Sequence, residues 1–316
     1  MKNKLCIIVP CYNEEETLSQ SNQVLLNTLH DLVSKQKIDA DSYILYVDDG
    51  SSDNTWEIIC RIYHNNNRNV KGIKLSANKG HQNALLAGLE NSYGNADIIV
   101  TIDADLQDDV NAIEEMVTKH CEGQFDIVYG VRNKRESDTW FKRNSALLFY
   151  KIMNVLGVKT VYNHADFRLM SSRAVKALCE YKENNLFLRG IIPLIGYKSC
   201  NVYYNRTIRK YGTTKYPLRK MMSFAIDGIT SFSIQPVRMI MVLGFVFIAI
   251  SIAILIYVLY QYCNHNVVSG WSSMILSIWF VGGCILASLG VIGEYIGKIF
   301  VEVKKRPRYH IESLLS

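Results

Sequence analysis

From Met239 to Tyr260 the chain reads MIMVLGFVFIAISIAILIYVLY, 22 residues without one charge. Wound as a helix at about 1.5 Å per residue, such a run is roughly 33 Å long, enough to cross the hydrocarbon core of a bilayer. A second uncharged run, Trp271 to Gly293, follows after the short polar link Gln261–Gly270. One such run can be the core helix of a soluble protein; two in succession point to a pair of membrane spans. Arg238 precedes the first run, and Lys298, Lys304, Lys305, Arg306 and Arg308 follow the second, while the link carries no Lys or Arg. Because basic flanks stay on the cytoplasmic side, the chain is expected to be a multi-pass protein of the cell membrane with both termini cytoplasmic.

The rest is a different kind of sequence. With 316 residues, 49% hydrophobic, 20% charged and a net charge of +6, the chain is too apolar to be disordered and too long to need disulfide staples. Lys2 and Lys4 precede an apolar stretch, but Leu5–Val9 stops at Pro10 and is too short for the core of a signal peptide. Eight cysteines lie scattered without a CxxC pair, as expected of reduced, mostly buried thiols in a cytosolic setting.

Over the first 130 or so residues, short apolar runs alternate with helical patterns. Leu5–Val9, Tyr43–Val47, Val70–Leu75, Ile98–Ile102 and Ile127–Tyr129 are the expected strands, and this alternation calls for a mostly parallel α/β sheet with helices on its faces. Asn13 and Glu16 have capping-box spacing for the first helix, and Asp53 or Asn54 can cap the second. In open α/β sheets ligands sit beyond the carboxyl ends of the strands, and those ends are polar here: Pro10-Cys11-Tyr12-Asn13-Glu14, Asp48-Asp49-Gly50-Ser51-Ser52-Asp53, Asn78-Lys79-Gly80 and Asp103-Ala104-Asp105-Leu106-Gln107.

No GxGxxG follows the first strand, which disfavours hydride transfer with a dinucleotide, and no GxxxxGK[ST] phosphate loop occurs. The spacing Asp103-x-Asp105-x-Gln107 puts oxygen donors on one side of a strand end, which suits Mg²⁺ or Mn²⁺ bridging to a pyrophosphate. The plain alternative is a turn that caps the helix beginning near Val110.

Together, VPCYNEEETL, VDDGSSDNT, NKGHQNALLAGL and DADLQDD, in that order, resemble family 2 glycosyltransferases of the GT-A fold. The resemblance is to their polyprenyl-phosphate branch, and it continues through GVRNKRESD, HADFRLMSSRAV, FLRGIIPLIGY and RKYGTTKYPLRKMM. The later motifs are similar to bactoprenol glucosyltransferases.

The resemblance implies a nucleotide-sugar donor held by Pro10, Tyr12, Glu14, Asp48, Asp49, Lys79 and Asp103, and a metal held by Asp103, Asp105 and Gln107. Its implied catalytic residues are Asp105, Asp166 and Arg168, with Asp166 either a base or an orienting group. Arg132, Arg135 and Arg168 suit an acceptor phosphate, since a guanidinium can grip two of its oxygens at once. His81 and His164 stay outside the expected metal site.

The implied reaction is inverting transfer of a hexose, glucose first, from UDP to undecaprenyl or another polyprenyl phosphate. UDP-N-acetylglucosamine or GDP-mannose donors keep the same chemistry, and a catalytically silent membrane scaffold is the alternative of another class. Implied partners are the lipid acceptor, a downstream flippase and an envelope glycosyltransferase.

The expected divisions are a cytoplasmic catalytic domain over 1–200, a basic juxtamembrane segment over 201–236, a two-helix hairpin over 237–297 and a basic cytoplasmic tail over 298–316. Arg206, Arg209, Lys210, Lys215, Arg219 and Lys220 lie in one stretch without an acid. So close to a span, that stretch is expected on anionic headgroups rather than on nucleic acid. Trp140–Lys151 mixes aromatic and basic residues as an interfacial helix does, or as a helix packed on the domain does.

Overall fold

The structure is a computed structural model that describes residues 2–133, 164–183, 188–205, 235–263 and 270–316. Arg135, His164's side chain, the Trp140–Lys151 segment and the basic stretch from Arg206 to Lys220 lie outside what it describes. The chain divides into two compact units. The first holds the described residues up to Asn205 together with 306–316, and the second those from Gln235 to Lys305.

In the first unit the five expected strands are present as β1 (Leu5–Cys11), β2 (Tyr43–Asp48), β3 (Val70–Leu75), β4 (Ile98–Thr101) and β5 (Ile127–Arg132). Three more strands were not expected: β6 (His164–Ser171), β7 (Ser199–Tyr204) and β8 (Ile311–Leu315). One sheet runs in the order β7-β5-β6-β4-β1-β2-β3-β8. Strands β4, β1, β2 and β3 are mutually parallel, while β6 runs antiparallel to β4 and β5, and β8 antiparallel to β3.

The helices are α1 (Leu18–Ser34), α2 (Thr55–Asn65), α3 (His81–Ser92), α4 (Ala112–Gly123), α5 (Ser172–Cys179) and the one-turn α6 (Leu188–Ile191). Leu18, Leu25, Leu29 and Leu32 of α1, Ile58, Ile59 and Ile62 of α2, and Ile113, Met116 and Val117 of α4 close over Leu5, Ile7, Val9, Ile44 and Tyr46. Helix α3 covers the opposite face, and Gly88 allows it to come close, since a Cβ there would meet Ile8 Cγ2 at 2.6 Å. With both faces covered, β1 and β2 are buried at every position, which is why they read as unbroken apolar runs.

Pro10 sits inside β1 without breaking it. Its register partner is Val47 of β2, while the pairing of β1 with β4 ends at Ile8 and Thr101. Ile8 turns its carbonyl to β4, so Pro10, two residues on, turns its missing N–H to the same side, beyond the last paired residue.

The expected capping box does not form. Helix α1 starts at Leu18, its cap residue Thr17 makes no side-chain capping bond, and Asn13, at φ 54°, turns its side chain to Ser52 instead. At α2 the N-cap is Asn54, which makes no side-chain capping bond, while Asp53 Oδ1, one residue earlier, accepts from the Thr55 N–H at 3.0 Å. Among the described cysteines none forms a disulfide, and only Cys6 and Cys11 are buried, fewer than expected.

The second unit contains α7 (Gln235–Cys263) and α8 (Trp271–Lys304), where the two apolar runs were expected to be helical. Among the described residues one stretch, Phe280–Lys304, is long and apolar enough to cross a membrane. Met239, Phe245, Ile256, Ile278, Leu286 and Val303 lie exposed on these helices.

Candidate active site

The parallel strands β1 to β4 deliver their carboxyl ends to one edge of the sheet, and antiparallel β6 brings its beginning to the same edge. The register Thr101↔Arg168 between β4 and β6 fixes this. It sets Asp166 next to the end of β4, where the Thr101 hydroxyl donates to the Asp166 carbonyl oxygen at 2.5 Å.

Asp166 is the most heavily partnered acid there. Arg189 of α6 donates to its two oxygens, Nε to Oδ1 at 3.1 Å and Nη2 to Oδ2 at 2.8 Å. Arg168 Nη2 donates to Oδ1 at 2.5 Å, and His81 Nε2 lies 3.6 Å from Oδ2. Burial alone would raise the pKa of Asp166. The charge of Arg189, the neighbouring His81 imidazole and the charge of Arg168 outweigh it and hold the carboxyl well below the usual range.

The same His81 Nε2 is 3.6 Å from Asp103 Oδ1, so one imidazole bridges the ends of β4 and β6. Burial works against its charge, but the neighbouring carboxylates of Asp166 and Asp103 prevail and raise its pKa. Asp103 is pushed upward by desolvation and by Asp166, Asp108 and Asp105, against the pull of His81. His81 belongs to the site as a bridge between carboxylates, a role that a lone histidine in NKGHQ did not reveal.

Arg168, expected on the acceptor phosphate, lies elsewhere. It is 1% exposed, in the sheet between Thr101 and Tyr129, and its Nη1 is buried without a hydrogen-bond partner. Its Nη2 is engaged by Asp166, whereas the Arg189 side chain is 41% exposed. The signal for it was present in FLRGIIPLIG as a single charge in an apolar run. Arg132, at the end of β5, directs Nε and Nη2 to Asp108 Oδ1 at 3.2 and 3.0 Å.

The DxDxQ segment forms a turn, with Leu106 at φ 44°. Asp105 accepts from the Gln107 backbone N–H at 3.3 Å and from Gln107 Nε2 at 2.8 Å. Gln107 is buried, and its side-chain amide donates to Asp105. Among the described residues no group of three or more His, Cys, Asp and Glu is arranged to hold a metal. Asp103 and Asp105 remain as a two-carboxylate set. That fits Mg²⁺ or Mn²⁺, which bind through one or two carboxylates plus the phosphates of a substrate rather than in an all-protein cage.

The loops after β1 and β2, where a nucleotide was expected, are stitched together. The Asn13 N–H donates to Ser51 Oγ at 3.0 Å, the Ser52 N–H to Asn13 Oδ1 at 2.9 Å, and the Glu14 N–H to Thr55 Oγ1 at 2.9 Å. Tyr12 stands exposed above this seam. Asp48 is fully buried; its Oδ1 accepts from the Ser51 hydroxyl at 2.5 Å, and its Oδ2 has no partner. Burial raises its pKa against those Ser51 bonds.

Asp49 and Pro10, expected on the donor, are engaged within the fold. Asp49 accepts the backbone N–H of Lys79 at 2.7 Å and of Gly80 at 2.8 Å, which shapes the loop before α3. Pro10 is buried in the sheet. The Lys79 side chain is exposed at the rim.

The model described as "Glycosyl transferase family 2" matches residues 6–179. The chain is 51% identical over 308 residues to the uncharacterized glycosyltransferase YkoT of Bacillus subtilis, covering 98% of this chain and 91% of that one. It is 35% identical over 312 residues to the bactoprenol glucosyl transferase of Shigella phage SfX, covering 98% and 99%. A prophage bactoprenol glucosyl transferase homolog of Escherichia coli is also 35% identical, over 314 residues and 98% of each chain.

Proposed function

The chain belongs to glycosyl transferase family 2, and on that premise we propose that it transfers glucose from UDP-glucose to undecaprenyl or a related polyprenyl phosphate, with inversion at the sugar carbon. The observation that carries the reading is the meeting of Asp103, Asp166, His81 and Arg189 at one edge of the sheet, next to the Asp105 turn. The lipid acceptor is supported by relatives named bactoprenol glucosyl transferase that align along nearly the whole chain.

Tyr12, Glu14 and Asp48 line the nucleoside side, with Asp49 and Pro10 shaping it and Lys79 at its rim. Asp103 and Asp105 would hold Mg²⁺ or Mn²⁺ together with the donor's diphosphate, and Gln107 keeps Asp105 in place. When bound, the metal supplies positive charge where the leaving diphosphate gains negative charge.

A phosphate monoester is already anionic at neutral pH and needs no strong base. Asp166 is therefore free to orient rather than to take a proton. Its anchoring holds Arg189 and His81 in one geometry before any ligand arrives, which removes reorganisation from the reaction. Arg189, with Arg132 and Arg135, offers guanidinium groups to the acceptor phosphate.

An isoprenoid phosphate stays in the bilayer, so the domain must work at its surface. We assign the hairpin over 237–297 as two spans with both flanks cytoplasmic. The basic 201–236 segment lies on anionic headgroups, at about 1 kcal/mol per basic residue near the surface. The lipid-linked glucose then passes to a flippase and an envelope glycosyltransferase.

The test is label transfer from UDP-glucose into organic-extractable lipid by membranes containing the full chain or its Asp105→Ala variant. Loss of label in the variant, with the protein present at equal level, supports the enzyme; equal label from both sinks the metal-site assignment. Full cellular function in the variant favours the silent scaffold.

A further inference from the structure

The segment after α8 makes an unexpected set of contacts within the first unit. Strand β8 pairs antiparallel with β3 through Gly72↔Leu315, Ile73↔Leu314, Lys74↔Ser313 and Leu75↔Ile311. Just past β3, the Ser76 N–H donates to the His310 carbonyl at 3.0 Å. Lys74 Nζ meets Glu312 Oε1 at 3.1 Å, and the Tyr63 hydroxyl of α2 donates to the Ser316 carbonyl at 2.9 Å. At the far end of α3 the Tyr309 hydroxyl donates to Glu90. Arg308, nearly buried, approaches Glu90 and donates from Nη2 to the Tyr181 carbonyl at 2.8 Å.

These contacts bracket one loop. Residues 76–80 leave β3 at Ser76, held by His310, and enter α3 at His81, whose helix is gripped at Glu90 by Tyr309. The other side of the loop is set by β2. Asp49 takes the Lys79 and Gly80 N–H groups, and Gly50, at φ +63°, packs so closely that a Cβ would meet Ala77 C and Asn78 N at 2.6 Å. The loop thus lies between two supports, and one of them is the tail. What the loop presents is Lys79 at the rim and His81 on Asp103 and Asp166.

We propose that Arg308–Ser316 is a strap that positions the β3–α3 loop at the active site, with Arg308 and Tyr309 as positioning residues on which donor binding depends. The dependence on donor rests on the glycosyltransferase reading; the positioning of the loop does not. Arg308 follows α8 by only four residues of sequence.

The test uses the full chain carrying Tyr309→Phe and Arg308→Gln, substitutions that remove the clamp and leave β8 itself intact. Amide hydrogen exchange at Asn78–Gly80 is expected to quicken about tenfold while the β1 and β2 amides stay protected. In parallel, KM for UDP-glucose with Mn²⁺ is expected to rise roughly three- to tenfold with kcat changed less than about twofold, a split that mere loss of folded protein does not give. Unchanged exchange at Asn78–Gly80 overturns the strap, as does uniform loss of protection across the sheet. Faster exchange at the loop in a protein that transfers no sugar upholds the strap and refutes the glycosyltransferase reading instead. Removing residues 306–316 is the coarser variant, and the point substitutions keep the test valid where that truncation unfolds the sheet edge.

Discussion

Asp166 and Arg189 meet through two parallel contacts, Nε to Oδ1 at 3.1 Å and Nη2 to Oδ2 at 2.8 Å, across 23 positions of sequence. The pair decides what Asp166 can do, because Arg189 is the largest of the influences that hold the carboxyl ionised against its burial. Arg189→Ala is expected to lower kcat about 100-fold, the scale of losing one preorganised donor at a reacting centre. Arg189→Lys should recover only part of this, since an ammonium cannot reproduce the two-point grip. The pH profile gives a second readout. Wild-type Asp166 stays ionised and contributes no acid limb between about pH 5 and 8, whereas the alanine variant, with a raised carboxyl pKa, loses activity on the acid side first. Initial rates across pH check both.

Arg168 makes a different prediction because it is buried. Taking away one member of a buried ion pair costs about 3–5 kcal/mol. Arg168→Ala should fall near the lower figure, since Arg189 and His81 still attend Asp166. Denaturant unfolding of the full chain measures it. A variant of wild-type stability with a raised requirement for lipid acceptor would return Arg168 to the acceptor phosphate.

Stability at low pH should depend on Asp126. Its carboxylate is buried at the start of β5 and takes Arg173 Nε and Nη2 at 2.5 and 2.6 Å and the Ser171 hydroxyl at 2.8 Å. Arg173 and then Ser171 hold its pKa below the ordinary value, against the effect of desolvation. A depressed pKa in the folded state means the contribution is fully present above the unfolded value, near about 4, and is lost as pH falls through the folded one. Asp126→Asn should therefore destabilise by about 1–3 kcal/mol at neutral pH. The gap from wild type should narrow as the solution is acidified below about pH 4. Thermal melts of both proteins at several pH values follow that gap.

Gly50 gives a steric test. Alanine there would hold a strained φ of +63° and press its Cβ to 2.6 Å from the Ala77–Asn78 backbone. The expected cost is about 1–3 kcal/mol, with a rise in donor KM as the Asp49 hold on Lys79 and Gly80 loosens. Melting temperature and donor titration together check it.

How far the sequence could be read follows from what each strand buries. β1 to β5 lie in or beside the covered middle of the sheet, so Ile7, Ile44, Ile73, Ile99 and Val128 stand in apolar runs that identify a strand. β6 hides its nature by carrying Asp166 and Arg168, which satisfy each other once folded but read as a polar loop. β7 and β8 lie at the two edges, half exposed, and IESLL gives too short an alternation to distinguish from a tail. In the site, the polar strand ends were legible because the fold puts ligands there. The roles within them were not. Asp49, Gln107 and Arg168 have the chemistry of ligand binders, and their hydrogen bonds to Lys79 and Gly80, Asp105 and Asp166 appear only in the folded chain. His81 and Arg189 join the site through contacts between distant segments, which spacing along the chain does not encode.

Metal-assisted transfer of glucose to a lipid phosphate is the proposed reaction. Its most direct test gives the purified full chain undecaprenyl phosphate and labelled UDP-glucose, UDP-N-acetylglucosamine or GDP-mannose, with Mg²⁺, with Mn²⁺ and with a chelator. Label in the organic phase from UDP-glucose is expected, abolished by the chelator and by Asp105→Ala. Label from none of the three donors, with the protein folded and metal supplied, would contradict it.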